Sequence, residues 1–196
     1  RKLPLVKGRP RLGPCVTGVS KFVAIGLNYI DHAKEAGMPI PEHPVVFFKS
    51  TTCIVGPNDD VMIPKGSLKL DWELEIAFVV GKRSRYVELK DAASHIAGYT
   101  ICNDVSERSL QVGGPGEWIK AKSYDSFGPL GPWMVTKDEI KDPQNLNMRL
   151  TVNGEVRQKG NTKTMIFGVE HLVWACSQYF ILEPGDVIIT GTPPGV

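Results

Sequence analysis

The run Trp72-Glu73-Leu74-Glu75-Ile76-Ala77-Phe78-Val79-Val80 reads as a β-strand. Successive side chains of an extended chain point to opposite faces. Trp72, Leu74, Ile76, Phe78 and Val80 therefore share one face, and Glu73, Glu75, Ala77 and Val79 the other. The second face opens on a charged pair and turns apolar two residues later. Two carboxylates projecting side by side repel one another and are costly to desolvate. A divalent cation between them removes both penalties.

Working outward, Lys21 to Ile25 and Val45 to Phe48 are short apolar runs of strand length, and Ala97 to Cys102 is another that leads into Asn103-Asp104. Between the first two, Asn28 to Gly37 is compatible with a short helix that stops at Gly37. Pro39, Pro41 and Pro44 then forbid helix. Asp91 is placed to cap a helix through about Ile96. Gly113 to Gly116 reads as a flexible turn, and Gly128-Pro129 and Gly131-Pro132 punctuate a further loop. Leu146 to Arg157 reads as a hairpin, with Asn153-Gly154 supplying the positive-φ pair of a type I′ turn next to alternating Leu146, Met148, Leu150 and Val152. Val169 to Tyr179 reads as a core-facing helix, and Pro184-Gly185-Asp186 as a turn into a strand over Val187 to Thr190. Many short strands with few helices imply a β-rich α+β domain.

A chain of 196 residues fits one domain with a sizeable core. Residues 1–20, with three prolines and three glycines, are expected to form an irregular N-terminal arm ahead of one domain over 21–196. The net charge is only +2 and the basic residues are dispersed, which argues against nucleic acid or an anionic membrane as partner. No apolar run approaches the roughly 18 residues of a membrane helix. Four cysteines stand far apart without CxxC or zinc spacing, as expected of reduced thiols in a cytoplasmic protein. The sequence opens on Arg1 rather than Met, so its natural start is read as missing, and a removed targeting segment stays open.

Asp104, at the end of another strand, offers Glu73 and Glu75 a third oxygen ligand. Three carboxylates without His or Cys favour Mg²⁺, Mn²⁺ or Ca²⁺ over Zn²⁺. E-x-E is a weak motif, and by spacing alone these residues equally suit a solvated sheet edge and a turn cap. His32 and Glu35, at i and i+3, share a helical face on which the carboxylate orients the imidazole and raises its basicity. A surface charge pair has the same spacing. If Asp104 begins a helical turn, Arg108 and Gln111 follow along one side, and the planar fork of Arg108 suits a carboxylate. Lys122, in Lys120-Ala121-Lys122-Ser123-Tyr124-Asp125, is a further candidate cation; solvated charge is the alternative for each of these. Gly191-Thr192-Pro193-Pro194-Gly195 is either a tight turn or a loop presenting N–H groups and the Thr192 hydroxyl to an anion. It lacks the ending of a P-loop. His43, His95 and His171 have no comparable neighbour and read as surface or packing residues.

Taken together, these segments resemble the fumarylacetoacetate hydrolase family. The matching stretches are Gly26-Leu27-Asn28-Tyr29 with Asp31-His32, Asp71-Trp72-Glu73-Leu74-Glu75, Gly98-Tyr99-Thr100-Ile101-Cys102-Asn103-Asp104-Val105-Ser106 and Lys122-Ser123-Tyr124-Asp125. They continue with Gly128-Pro129-Leu130-Gly131-Pro132-Trp133, Glu183-Pro184-Gly185-Asp186 and Gly191-Thr192-Pro193-Pro194-Gly195-Val196. Each is modest, but the ordered set, from about Lys21 to the end, is specific.

The resemblance implies a β-rich mixed fold around a rolled sheet, and a homodimer. It implies metal ligands at Glu73, Glu75 and Asp104 for Mg²⁺ or Mn²⁺, with Ca²⁺ as a substitute. It further implies a water-activating pair, His32 and Glu35, on a segment that closes over substrate, and an active-site lysine at Lys122. Arg108, Gln111 and Thr192 are implied as substrate contacts. The implied substrate is a small 2-oxo acid. The leading expectation is hydrolysis of a C–C bond in a 2,4-dioxo acid, either an acylpyruvate or a diketo-deoxy sugar acid such as 2,4-diketo-3-deoxy-L-rhamnonate. Oxaloacetate decarboxylation and hydroxymuconate-type isomerisation rest on the same metal–enolate chemistry, and a non-catalytic metal-binding member is the remaining alternative. Members of this kind usually continue past the Gly195-Val196 region with a last turn and strand, so truncation at the C-terminus is expected too.

Overall fold

The alternation around Glu75 is realised inside a mixed six-stranded sheet. The structure, a computed structural model, describes residues 3–112 and 118–196; the turn expected at Gly113 to Gly116 lies outside the described residues. In chain order the strands are β1 (Phe22–Gly26), β2 (Val45–Lys49), β3 (Ile54–Val55), β4 (Leu70–Asp71), β5 (Leu74–Val80) and β6 (Ile96–Asn103). They continue with β7 (Ser106–Glu107), β8 (Gly128–Pro129), β9 (Val135–Thr136), β10 (Asn147–Val152), β11 (Glu155–Asn161) and β12 (Val187–Ile189). The α-helices are α1 (Ile30–Glu35), α2 (Arg108–Val112), α3 (Ile119–Lys122) and α4 (Val169–Tyr179). The fold is the sheet-dominated mixture of strands and few helices that the sequence implies.

The central sheet runs β2-β1-β12-β5-β6-β9, antiparallel throughout except for the β1–β12 pair. Alternation sends Val23, Ile25, Ile76, Phe78 and Ile188 to one face, where Leu172, Val173 and Cys176 of α4 cover them. Phe22, Ala24, Ala77, Val187 and Ile189 go to the other face, against Cys53, Phe127 and Leu130. Withdrawing each large side chain from water contributes about 1.5–3 kcal/mol. With both faces covered, the carboxylates that open β5 have no solvated side to turn to. The pairings Leu74↔Asn103, Ala77↔Ile189 and Ala24↔Ile189 bring the start of β5 and the ends of β1, β6 and β12 to one end of the sheet.

Three local departures from the sequence reading have identifiable causes. The strand opens at Leu74 rather than Trp72, because Glu73 N–H donates to the Asn103 side chain and Leu74 N–H to that of Gln158 instead of to a ladder carbonyl. Asp104 does not begin a helical turn: Ser106–Glu107 is drawn out by pairing with Leu70–Asp71, and α2 starts only at Arg108. Asp91 caps nothing, since the 3₁₀ helix Leu89–His95 starts two residues before it and Asp91 N–H donates to the Glu88 carbonyl. The hairpin forms as expected, with Asn153 at φ 52° and Gly154 at φ 85°.

Candidate active site

The start of β5 and the end of β6 place three carboxylates together. Glu73, Glu75 and Asp104 are buried, and each offers an oxygen within 4.8 Å of the others'. Backbone hydrogen bonding holds the arrangement, with Asp104 N–H donating to the Glu73 carbonyl at 2.9 Å.

Cations are shared unevenly among the three. Lys122 Nζ donates to Glu73 Oε2 at 2.7 Å and to Asp104 Oδ2 at 2.8 Å. Lys49 Nζ, fully buried, pairs with Asp104 Oδ1 and donates to the Phe127 carbonyl at 2.9 Å. Arg108 Nη1 pairs with Glu73 Oε1, and its Nε donates to Asp71 Oδ2 at 2.8 Å. Among the described residues Glu75 has no ion-pair partner; Gly191 N–H alone donates to its Oε2, at 2.6 Å. Burial, reinforced by the charges of Asp104 and Glu73, pushes the Glu75 carboxyl well above the usual carboxylate range. Burial acts on Asp104 in the same direction, but Lys122 and Lys49 outweigh it and hold that carboxyl low.

A buried carboxylate left without a cation, beside two others and with no nitrogen or sulfur ligand in the group, fits a hard divalent ion. Lys49 was not singled out in the sequence. The available signal was a lysine closing the apolar run Val45–Phe48, where an ammonium has to find an acid indoors.

His32 comes from α1. Its Nδ1 lies 3.1 Å from Glu35 Oε2, which leaves Nε2 as the free nitrogen. The Glu35 carboxylate also accepts from Gly195 N–H, 3.2 Å from each oxygen, so α1 is tied to the Gly191–Gly195 loop. Upstream of α1, buried Asn28 donates to the Phe167 and Thr190 carbonyls and accepts from Phe167 N–H. Leu27, between Asn28 and the end of β1, is held at φ 47°, a conformation costing a non-glycine residue about 1–3 kcal/mol.

One cavity of about 430 Å³ is lined by His32, Glu73, Glu75, Asp104, Arg108, Gln111, Lys122 and Thr192, with Glu35 standing behind His32. Two of these side chains are more committed than their sequence reading suggests. Arg108 spends Nε and Nη1 on Asp71, Glu73 and Gln111, and keeps only Nη2, buried and without a partner among the described residues. The Thr192 hydroxyl donates to the Leu74 carbonyl at 2.9 Å and accepts from Gln158 Nε2 at 2.7 Å, joining the loop to β5 and β11.

The family model for the C-terminal domain of fumarylacetoacetate hydrolase matches residues 21–196. The chain belongs to the fumarylacetoacetate hydrolase family. A curated protein of Burkholderia cenocepacia, provisionally named a hydrolase, is 55% identical over 194 residues, covering 99% of this chain and 69% of its own. Among solved structures, the 5-carboxymethyl-2-hydroxymuconate delta-isomerase of Mycobacterium smegmatis superposes with a TM-score of 0.85 at 43% identity, over 94% of this chain and 72% of that one. The fumarylacetoacetate hydrolase of the psychrophile Exiguobacterium antarcticum gives 0.86 at 36% identity, over 98% and 69%. Members of this family thus carry names from both hydrolase and isomerase chemistry.

Proposed function

We propose that this cavity is the active site of a metal-dependent enzyme that hydrolyses a C–C bond of a 2,4-dioxo acid, giving pyruvate and a second acid. The observation that carries the reading is Glu75, a buried carboxyl beside two others that has no counter-ion among the described residues. Glu73, Glu75 and Asp104 would hold Mg²⁺ or Mn²⁺, with Ca²⁺ as a substitute. Such an ion, when bound, supplies a Lewis acid for the 1-carboxylate and 2-oxo oxygen of the substrate.

The chain's own groups perform the rest. His32 Nε2 takes a proton from water as its oxygen attacks the C4 carbonyl, while Glu35 fixes the imidazole through Nδ1. The C3–C4 bond then breaks. Its electron pair stays on the pyruvate fragment as an enolate, C4 leaves as the second acid, C3 takes its proton from water, and the proton on His32 is released to solvent. Burial disfavours the charged form of Lys122, but Asp104, Glu73 and Glu75 together raise its pKa. Held by Glu73 and Asp104, its ammonium would supply a positive charge to the developing enolate. The buried Nη2 of Arg108, without a partner among the described residues, lies on the guanidinium that touches Glu73 and would serve the substrate carboxylate. Gln111 holds that guanidinium at 2.7 Å, and Thr192 fixes the loop beside the substrate.

A second reading is favoured by the similarity to a Mycobacterium smegmatis isomerase: the same groups would then move a proton or release CO₂ without an attacking water. Product analysis by mass spectrometry decides between them, using acylpyruvates, oxaloacetate and a diketo-deoxy sugar acid, each with and without Mg²⁺. The proposal expects pyruvate plus a second acid from a 2,4-dioxo acid, only with metal. Turnover of oxaloacetate alone, or an isomerised product of unchanged mass, would replace it with the second reading. The family resemblance further supports proposing a cytoplasmic homodimer, and light scattering of the purified protein tests the dimer.

A further inference from the structure

The β10–β11 hairpin is a two-stranded sheet of its own, outside the central sheet. From Glu155 to Lys159 its second strand is exposed except at Gln158, which is fully buried. A bulge makes that exception. Thr151 pairs with Val156 and Leu150 with Gln158, so Arg157 is the extra residue. An extra residue re-aims the side chains on either side of it. Val156 stays 50% exposed while Gln158 turns inward.

Burying a primary amide is costly unless its polar atoms are bonded. Both of its atoms are. Leu74 N–H donates to Gln158 Oε1 at 2.8 Å, and Nε2 donates to the Thr192 hydroxyl at 2.7 Å and to the Pro193 carbonyl at 2.8 Å. These partners flank Glu75. Leu74 supplies the peptide units between Glu73 and Glu75. Thr192 and Pro193 follow Gly191, whose N–H donates to Glu75, and the Thr192 hydroxyl donates on to the Leu74 carbonyl. The loop also lies close against β11. A β-carbon on Gly160 would come within 2.4 Å of Pro193 Cβ, and one on Gly195 within 2.1 Å of the Arg157 carbonyl oxygen. Gln158 itself does not line the cavity.

We propose that Gln158 is a positioning residue for the cation site. From outside the cavity it holds Glu75 in place beside Glu73 and Asp104, through the Leu74 peptide on one side and the Gly191–Gly195 loop on the other. Its carboxamide oxygen is committed to Leu74, so its part is to hold the ligands, not to join them. This rests on the reading of Glu73, Glu75 and Asp104 as cation ligands. Without the amide, Leu74 N–H and the Pro193 carbonyl lose a partner, and the loop that brings Gly191 N–H to Glu75 loses its tie to β11. Groups that hold a metal ligand from behind typically contribute about 10–100-fold to metal affinity.

The test uses binding, not turnover. Metal-stripped protein is titrated with Mn²⁺ by calorimetry, well below the melting temperature of each variant. Gln158→Met, close in size but without the amide, should bind Mn²⁺ about 10–100-fold more weakly than the parent. Asp186→Asn is the control for lost stability alone. Asp186 accepts from Lys21 N–H just ahead of β1, at the end of the sheet away from the carboxylates, and this variant should keep the parent's affinity. If Gln158→Met does not fold, Gly160→Ala decides. It keeps the amide but forces Pro193 off β11, and affinity should again fall. A folded Gln158→Met whose affinity matches that of the parent or of Asp186→Asn overturns the inference alone. Parent-like affinity in Gly160→Ala, where that variant decides, does the same. Failure of the parent protein to bind Mn²⁺ would sink the cation reading and this inference with it.

Discussion

Asp186 and Glu75 are both buried carboxylates, and the chain treats them in opposite ways. Asp186, in the turn before β12, accepts from Ser20 Oγ, from the backbone N–H groups of Lys21 and Glu183, and from Lys21 Nζ at 3.1 Å. Burial works against its ionisation, but these donors win and hold the carboxyl below its ordinary range. Glu75 receives one backbone N–H and no cation among the described residues, and its carboxyl is pushed up. A carboxylate that the chain neutralises by itself ties elements together; here it joins the start of β1 to the start of β12. A carboxylate left unneutralised in the floor of a cavity is destabilising in isolation, and it is suited to a cation from outside.

Substitutions sharpen that contrast. Glu75→Gln should bring turnover down to the level of the metal-stripped enzyme while leaving the fold intact. Its metal-free melting temperature should equal or exceed the parent's, because a destabilising charge is gone. His32→Gln should cost about 10²–10⁴-fold in hydrolysis, the range of a lost general base. It should still exchange the methyl protons of pyruvate by NMR, since that rests on Lys122 and the carboxylate end; Glu35→Gln should fall between. Equal loss of hydrolysis and exchange in His32→Gln would move His32 to the carbon-bound proton and favour the isomerase reading.

Asp186→Asn should do the reverse of Glu75→Gln, sparing the chemistry and destabilising the fold by about 2–4 kcal/mol in denaturant titrations. Because the folded pKa of Asp186 is depressed, its contribution is present above the ordinary value of 3.8 and is lost as pH falls through the lower folded value. The variant should therefore flatten the acid limb of the stability curve. An unchanged acid limb would show that other carboxylates control it. The smallest effect concerns α1. Amide exchange between Tyr29 and Pro44 should slow when pyruvate and Mg²⁺ are added, as closure over ligand adds to the Glu35–Gly195 tie. Equal protection with and without ligand would remove the lid.

Period-two alternation made β5 legible, and with it the common direction of Glu73 and Glu75. Val169 to Tyr179 was legible as a core-facing helix, and the i, i+3 spacing gave the contact of His32 with Glu35. Local patterns carry such pairs because the partners lie within one element. What the sequence did not disclose was the division of cations. Lys49 reaches Asp104 across 55 residues, and Arg108 reaches Asp71 across 37, through contacts set only by the packing of β2 and the β4–β7 pair. The hold of Gln158 on Leu74, across 84 residues, is equally non-local. Arg108 and Thr192 looked freer in sequence than they are, since no spacing rule shows that a donor is already engaged.

The central claim, that the chain builds a cation site by withholding a counter-ion from Glu75, is tested most directly by calorimetric titration of the metal-stripped protein with Mn²⁺. The account predicts one site per chain in the parent and in Asp186→Asn, and none in Glu75→Gln. No binding to the parent, or undiminished binding to folded Glu75→Gln, would contradict it.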